Sequence, residues 1–227
     1  MTNIYFLLSR VSGVAVIAGV MLAMTAPVTA EDDGARVIGD LQLRFRALEN
    51  LEAKFEKRHY WKLVDQEQQI AGKLFVEKPN RFRLETSIQT VVTDGKTAWN
   101  YVPQNQQVVV SNYESVKADR SYEKLLFDLV LLGGYDDRFR PEYVGEERVE
   151  GQRTHRVDLK SIEEDGYITD VRLWMDRRDG LVRKVEYHNI NNDVTTYVLS
   201  DFRVNRKLKE GTFTFLAGDE TDVVDLR

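Results

Sequence analysis

The chain has no cysteine. That excludes disulfides, thiol nucleophiles and Cys-ligated metal, and it means a stable exported domain would rest on packing alone. Proline is scarce, at four residues, and there are only three histidines, His59, His155 and His188. None of the histidines stands at a metal-ligand spacing such as H-E-x-x-H, so each reads as a strand histidine on a surface or edge. No nucleophile-elbow pattern occurs. Gly95-Lys96-Thr97 resembles the end of a phosphate loop only superficially. Thr90 stands where the second glycine belongs, and a strand-like segment follows instead of a helix. The acidic runs around Glu163–Gly166 and Asn189–Asp193 lack the Gly and Glu of a calcium loop and read as solvated turns. Excess positive charge is absent too: the formal net charge is −5. An acidic chain is poorly suited to nucleic acid, whose affinity comes mainly from phosphate neutralisation.

The one long apolar run lies at the N-terminus. Arg10 precedes an apolar stretch from Val11 to Met24, and Val28-Thr29-Ala30 supplies small residues for cleavage. The stretch falls short of the ~20 residues that span a bilayer. Residues 1–30 therefore read as a cleavable secretory signal, with an uncleaved anchor as the alternative. Residues 31–227 read as a single domain. Removing the signal lowers the net charge by one further unit, since it holds one Arg and no acid.

Beyond the signal, a helix is predicted over Gly34–Asn50 from the stripe Val37, Leu41, Phe45 and Leu48. From Leu51 the period changes to two: Leu51, Ala53 and Phe55 alternate with Glu52, Lys54 and Glu56, and the parity runs on through His59, Trp61 and Leu63. Further strands are predicted over Ile70–Glu77, Arg81–Thr86, Thr90–Thr93, Thr97–Val102 and Gln107–Asn112. Asp94-Gly95-Lys96 is a hairpin turn. A second amphipathic helix is predicted over Ser115–Leu132, ended by Gly133-Gly134. Strands follow over Pro141–Val149, Arg153–Ser161, Tyr167–Asp176, Leu181–Asn189 and Thr195–Val204, with a last short one at Phe213–Phe215. The fold class is mainly β (α+β): about ten strands make a sheet long enough to curl. The two helices would cover its concave side. The strand aromatics Trp61, Phe75, Phe82, Trp99, Tyr101 and Trp174 suit either a solid core or a lipid-lined hollow.

A family resemblance bears on that choice. Gly72, Leu74, Val76, Pro79, Asn80 and Phe82, then Asp94-Gly95-Lys96-Thr97, Trp99, Tyr101 and Pro103, resemble the front half of the LolA-type periplasmic lipoprotein carriers. Leu51–Phe55, Phe213–Phe215 and Val223–Arg227 continue the likeness in order along the chain. The resemblance implies an incomplete barrel with a helical lid over an apolar cavity, in a periplasmic carrier that is not an enzyme and uses no cofactor or metal. It implies acylated lipoprotein cargo, received from an inner-membrane ABC release complex and passed to an outer-membrane lipoprotein receptor, and a monomer. The lining it implies comprises Leu41, Phe45, Phe55, Phe82, Leu84, Trp99, Tyr101, Leu125, Leu126 and Leu129. Lys78 stands where the best-studied carriers have an arginine proposed to latch the lid. Its ammonium is a flexible point donor rather than a planar fork. The alternative is a related carrier or sensor of a free lipid or glycolipid.

Overall fold

The computed structural model describes residues 30–114, 139–162 and 167–227. Helix α1 (Ala30–Arg46) leads into strands β1 (Asn50–Trp61), β2 (Gln66–Glu77), β3 (Arg81–Thr86), β4 (Thr90–Thr93), β5 (Thr97–Val102) and β6 (Gln107–Asn112). After residue 138 come β7 (Phe139–Val149), β8 (Gln152–Ser161), β9 (Ile168–Asp176), β10 (Val182–Asn189), β11 (Val194–Val204) and β12 (Asp222–Asp225). All twelve strands form one curved, unclosed sheet in the order β12-β6-β5-β4-β3-β2-β1-β11-β10-β9-β8-β7. Two antiparallel meanders are joined where β1 pairs with β11, and only β12 runs parallel to its neighbour, β6.

The expected alternation holds. In β1, Leu51, Ala53 and Phe55 are buried and lie opposite Val76, Leu74 and Gly72 of β2. Phe82 and Leu84 of β3 continue the same row. In the other meander Leu199 and Tyr197, Val185 and Tyr187, Leu173 and Val171, and Val157 and Leu159 do likewise. Strand residues two apart share a face, so these side chains build one core on the concave side. Pro141 sits in β7, an edge strand, where its missing N–H costs no ladder bond.

Helix α1 stops about four residues before the sequence expectation. Ala47 already closes the last turn onto Leu43 and Arg44. The side chain of Asn205 then captures the linker. Its Oδ1 accepts the N–H groups of Glu49 (2.8 Å) and Asn50 (3.3 Å), and its Nδ2 donates to the Ala47 carbonyl (3.3 Å). The predicted strand at Phe213–Phe215 is replaced by turns. The Thr212 and Thr214 hydroxyls donate to the carbonyls of Lys209 (2.7 Å) and Gly211 (3.0 Å), a local pairing that competes with a ladder. The last strand is instead β12. The helix predicted over Ser115–Leu132 lies outside the described residues.

Candidate functional site

The concave face is the candidate site. Its floor is apolar over both meanders, with Phe55, Leu74, Phe82 and Leu84 on one side and Val157, Leu173, Tyr187 and Tyr197 on the other. Phe55 and Tyr187 both pack against the Tyr197 ring, at centroid distances of 5.7 and 6.1 Å. Gly72 makes room for this arrangement, since the Phe55 ring lies across its backbone.

Helix α1 covers one end of the face. Leu41 is buried in the core, and Val37 and Ile38 pack against it. Two cations tie its C-terminal end to the sheet. Arg44 Nη1 donates to the Arg178 carbonyl in the β9–β10 turn (2.5 Å). Lys78 Nζ donates to the carbonyl of Arg46, the last helical residue (3.0 Å). Carbonyls at a helix C-terminus lack intrahelical partners and carry the negative end of the dipole, so a lysine there is doubly favoured. Beside α1, burial pushes the His155 imidazole below its ordinary pKa, and its Nδ1 meets the Tyr143 hydroxyl at 3.2 Å.

The structure thus brings together Leu41, Phe55, Phe82 and Leu84. Phe45 lies in α1, whose outline but not this side chain is described; Leu125, Leu126 and Leu129 fall outside the described residues. Trp99 and Tyr101 are elsewhere. Register decides this: Phe82 pairs with Thr93, and Thr93 with Ala98, so in β5 it is Ala98 and Asn100 that share the concave side. Trp99 and Tyr101 point to the convex side. There Tyr101 meets Phe215 at 5.0 Å, beside buried Val92, Val108, Val110 and Phe213. The chain between β11 and β12 covers this second apolar layer and is held by Arg83 Nη1, which donates to the carbonyls of Thr212 (3.3 Å) and Thr214 (3.1 Å). A cleft of about 1160 Å³ lies under that segment, lined by Phe75, Arg83, Arg206, Lys209 and Phe215 among others. Among the described residues, one helix, α1, lies over the concave face.

The convex side of the second meander is charged. Trp174 Nε1 donates to Glu147 Oε2 (2.6 Å) and Arg156 Nη1 to Glu147 Oε1 (2.8 Å), which together hold the Glu147 carboxyl below its ordinary pKa. Burial opposes ionisation of Glu186, but hydrogen bonds from Lys184 and His188 outweigh it and the pKa falls. Burial likewise opposes ionisation of Asp176, and the Arg178 N–H with the charge of Arg183 outweighs it. All three groups bind protons more weakly folded than unfolded. They therefore stabilise the fold above the ordinary carboxylate range, and that stability is lost as pH falls through their lowered folded values. Urea midpoints are expected to decline modestly from pH 7 to about 5, where the unfolded chain protonates His155 more readily than the fold does, and to drop more steeply below about pH 4; a midpoint that rose on acidification would contradict the assignment. Among the described residues no group of His, Asp and Glu is placed to hold a metal ion.

Comparison with known proteins bears on what such a face serves. The family model of the outer membrane lipoprotein carrier protein LolA matches residues 46–216. The chain belongs to that family. An outer-membrane lipoprotein carrier protein of Aeromonas salmonicida is 24% identical over 214 residues, covering 93% of this chain and 97% of the relative. One from Haemophilus influenzae is 26% identical over 196 residues, 85% and 89% of the two chains. Among solved structures, an uncharacterized conserved protein of Thermus thermophilus superposes with a TM-score of 0.57 at 14% identity, over 84% of this chain and 98% of that one. At that identity the match speaks for the fold alone. The signature residues now have a structural meaning. Gly72, Leu74, Val76 and Phe82 are successive members of the concave face. Asp94 builds the hairpin turn, its Oδ1 accepting the N–H groups of Lys96 and Thr97, both at 2.8 Å.

Proposed function

We propose that this protein is a periplasmic carrier that shelters the acyl chains of lipoproteins against the concave face and transfers them from the inner to the outer membrane. The observation that carries the reading is the continuous apolar floor closed at one end by α1. A sequestered acyl chain gains about 0.8 kcal/mol per CH₂; the floor residues are buried in the lipid-free chain, so the face opens to admit the chains. Leu41, Phe55, Phe82 and Leu84 contact the chains, with Phe45, Leu125, Leu126 and Leu129 completing the cover. Residues 1–30 direct export and are removed. An inner-membrane ABC release complex supplies the cargo and an outer-membrane lipoprotein receptor accepts it.

Lys78 acts as the latch in this reading. Its bond to the Arg46 carbonyl is solvent-exposed, and a bond of that kind contributes about 0.5–1.5 kcal/mol. Lys78→Met is expected to speed exchange of a fluorescent acyl probe by about 2- to 10-fold while the urea midpoint barely moves. Unchanged exchange would remove Lys78 from the mechanism.

Native mass spectrometry of the protein taken from periplasm tests the function itself. A one-to-one complex with a triacylated protein is the expected result. A free lipid in its place would assign the face to lipid transport, and an empty protein that also refuses acyl probes would overturn the carrier reading.

A further inference from the structure

At the end of the concave face opposite α1, two chain reversals and the residue before β9 present apolar side chains to solvent. The β1–β2 turn carries Trp61, Leu63 and Val64, the β10–β11 turn carries Ile190, and Tyr167 precedes β9. Leu63 is 94% exposed, Ile190 61% and Val64 56%. Turns are ordinarily built from Gly, Asn, Asp, Ser and Pro, so a Leu-Val tip is an unexplained apolar cost to the free protein.

These reversals are fastened to one another. Asp193 Oδ1 accepts the Lys62 N–H at 2.9 Å, joining the first turn to the second. The Ile190 N–H donates to the Tyr167 carbonyl at 3.1 Å, and Asn189 Nδ2 donates to the Tyr167 hydroxyl at 2.8 Å. Within the first turn the Tyr60 hydroxyl donates to Asp65 Oδ1 at 2.7 Å. The tip is therefore a preformed surface.

It is also continuous with the acyl site. Trp61 shares the parity of Phe55 along β1 and packs edge-on against His59 at 4.4 Å. His59 Nδ1 in turn meets Thr195 Oγ1 at 2.6 Å.

We propose that this tip docks on a lipid bilayer, with Leu63, Val64 and Ile190 entering the interfacial layer. Leu63 is almost wholly exposed, which suits a deformable partner better than a shaped groove. Tryptophan, tyrosine and lysine are the side chains that settle at headgroup level, and Trp61, Tyr167 and Lys62 surround the aliphatic residues. Two of the tip's carboxylates, Asp65 and Asp193, are engaged by Tyr60 and by the Lys62 N–H and Asn189. The donors to these carboxylates are neutral and leave both charged, and the β8–β9 connection adds Glu163, Glu164 and Asp165; the tip is acidic, so burial of apolar surface rather than attraction to acidic headgroups drives the contact. Docking there would set the end of the concave face away from α1 against the membrane. This goes beyond the carrier reading and rests on the tip alone: vesicle binding tests it, whereas acyl-probe binding in solution tests the carrier.

The experiment is flotation of the chain lacking residues 1–30 with phosphatidylcholine vesicles, without and with added phosphatidylglycerol, at low and high salt. Binding to both vesicle types, retained at high salt, is expected. Brominated lipid should quench Trp61 emission, and Trp61→Phe should remove that component while Trp99 and Trp174 stay unquenched. Leu63→Asp with Ile190→Asp should weaken partitioning by about tenfold or more with unfolding midpoint and acyl-probe binding unchanged. Absence of vesicle binding, binding equal in the double variant, or binding that needs phosphatidylglycerol and vanishes with salt would each overturn the proposal.

Discussion

Leu74→Ala is expected to lower the unfolding free energy by about 2–5 kcal/mol. Leu74 is fully buried and lies in register between Ala53 on β1 and Leu84 on β3. Ala53 is too small to collapse into the space that the lost isobutyl group would leave. The cavity therefore persists, and both the transfer and the cavity contributions are felt. Against the ~5–15 kcal/mol of a typical domain, such a loss brings the protein near its folding threshold. The urea midpoint should fall with the denaturant slope unchanged. A loss under about 1 kcal/mol would mean that the concave floor is loosely packed and that Leu74 is not part of a rigid core.

Gly72→Val should be comparably damaging for a different reason. A Cβ at this position would collide with the backbone carbonyl of Glu85 and come within 2.5 Å of Phe55 Cζ. The carbonyl belongs to the β2–β3 ladder and the ring is packed on Tyr197, so neither yields easily. Overpacking of this sort costs about 1–3 kcal/mol and displaces the Phe55 ring from the proposed acyl-binding floor. Acyl-probe affinity should fall along with stability. Gly39→Ala is the internal control. Nothing lies within 4 Å of a Cβ there, and in a helix interior the exchange should stabilise by about 0.5–1 kcal/mol. If thermal melts rank the two variants alike, close approach is not the reason for Gly72.

The spacing of Gly72, Leu74 and Val76 at every second residue was legible as a strand face, and Phe82 and Leu84 as its neighbour. The structure puts all five in one row across β2 and β3. The Asp94-Gly95-Lys96 turn was equally plain, because a carboxylate that caps two following N–H groups acts over three residues. Trp99 and Tyr101 were not assignable in the same way. In β4 and β6 apolar residues occupy both parities: Val91 and Val92, then Val108, Val109 and Val110. Alternation cannot choose a side when both sides are covered. The Lys78 contact with the end of α1 joins residues 32 positions apart, and the Asn205 clamp joins residues more than 150 apart. Neither leaves a local pattern to find.

By itself, then, the sequence determined the strands and turns from β1 through β11 outside the undescribed segments, the α1 stripe and the membership suggested by its ordered motifs. Those rest on backbone propensity, side-chain period and short-range hydrogen bonds, which act within a few residues. Only the tertiary structure decided which apolar residues share the face under α1, that the chain after β11 turns back to cover the other face, and that the Leu63 tip stands at the end away from α1. Those outcomes depend on strand register and on pairings between distant segments, where a shift of one residue would exchange the two faces of a strand.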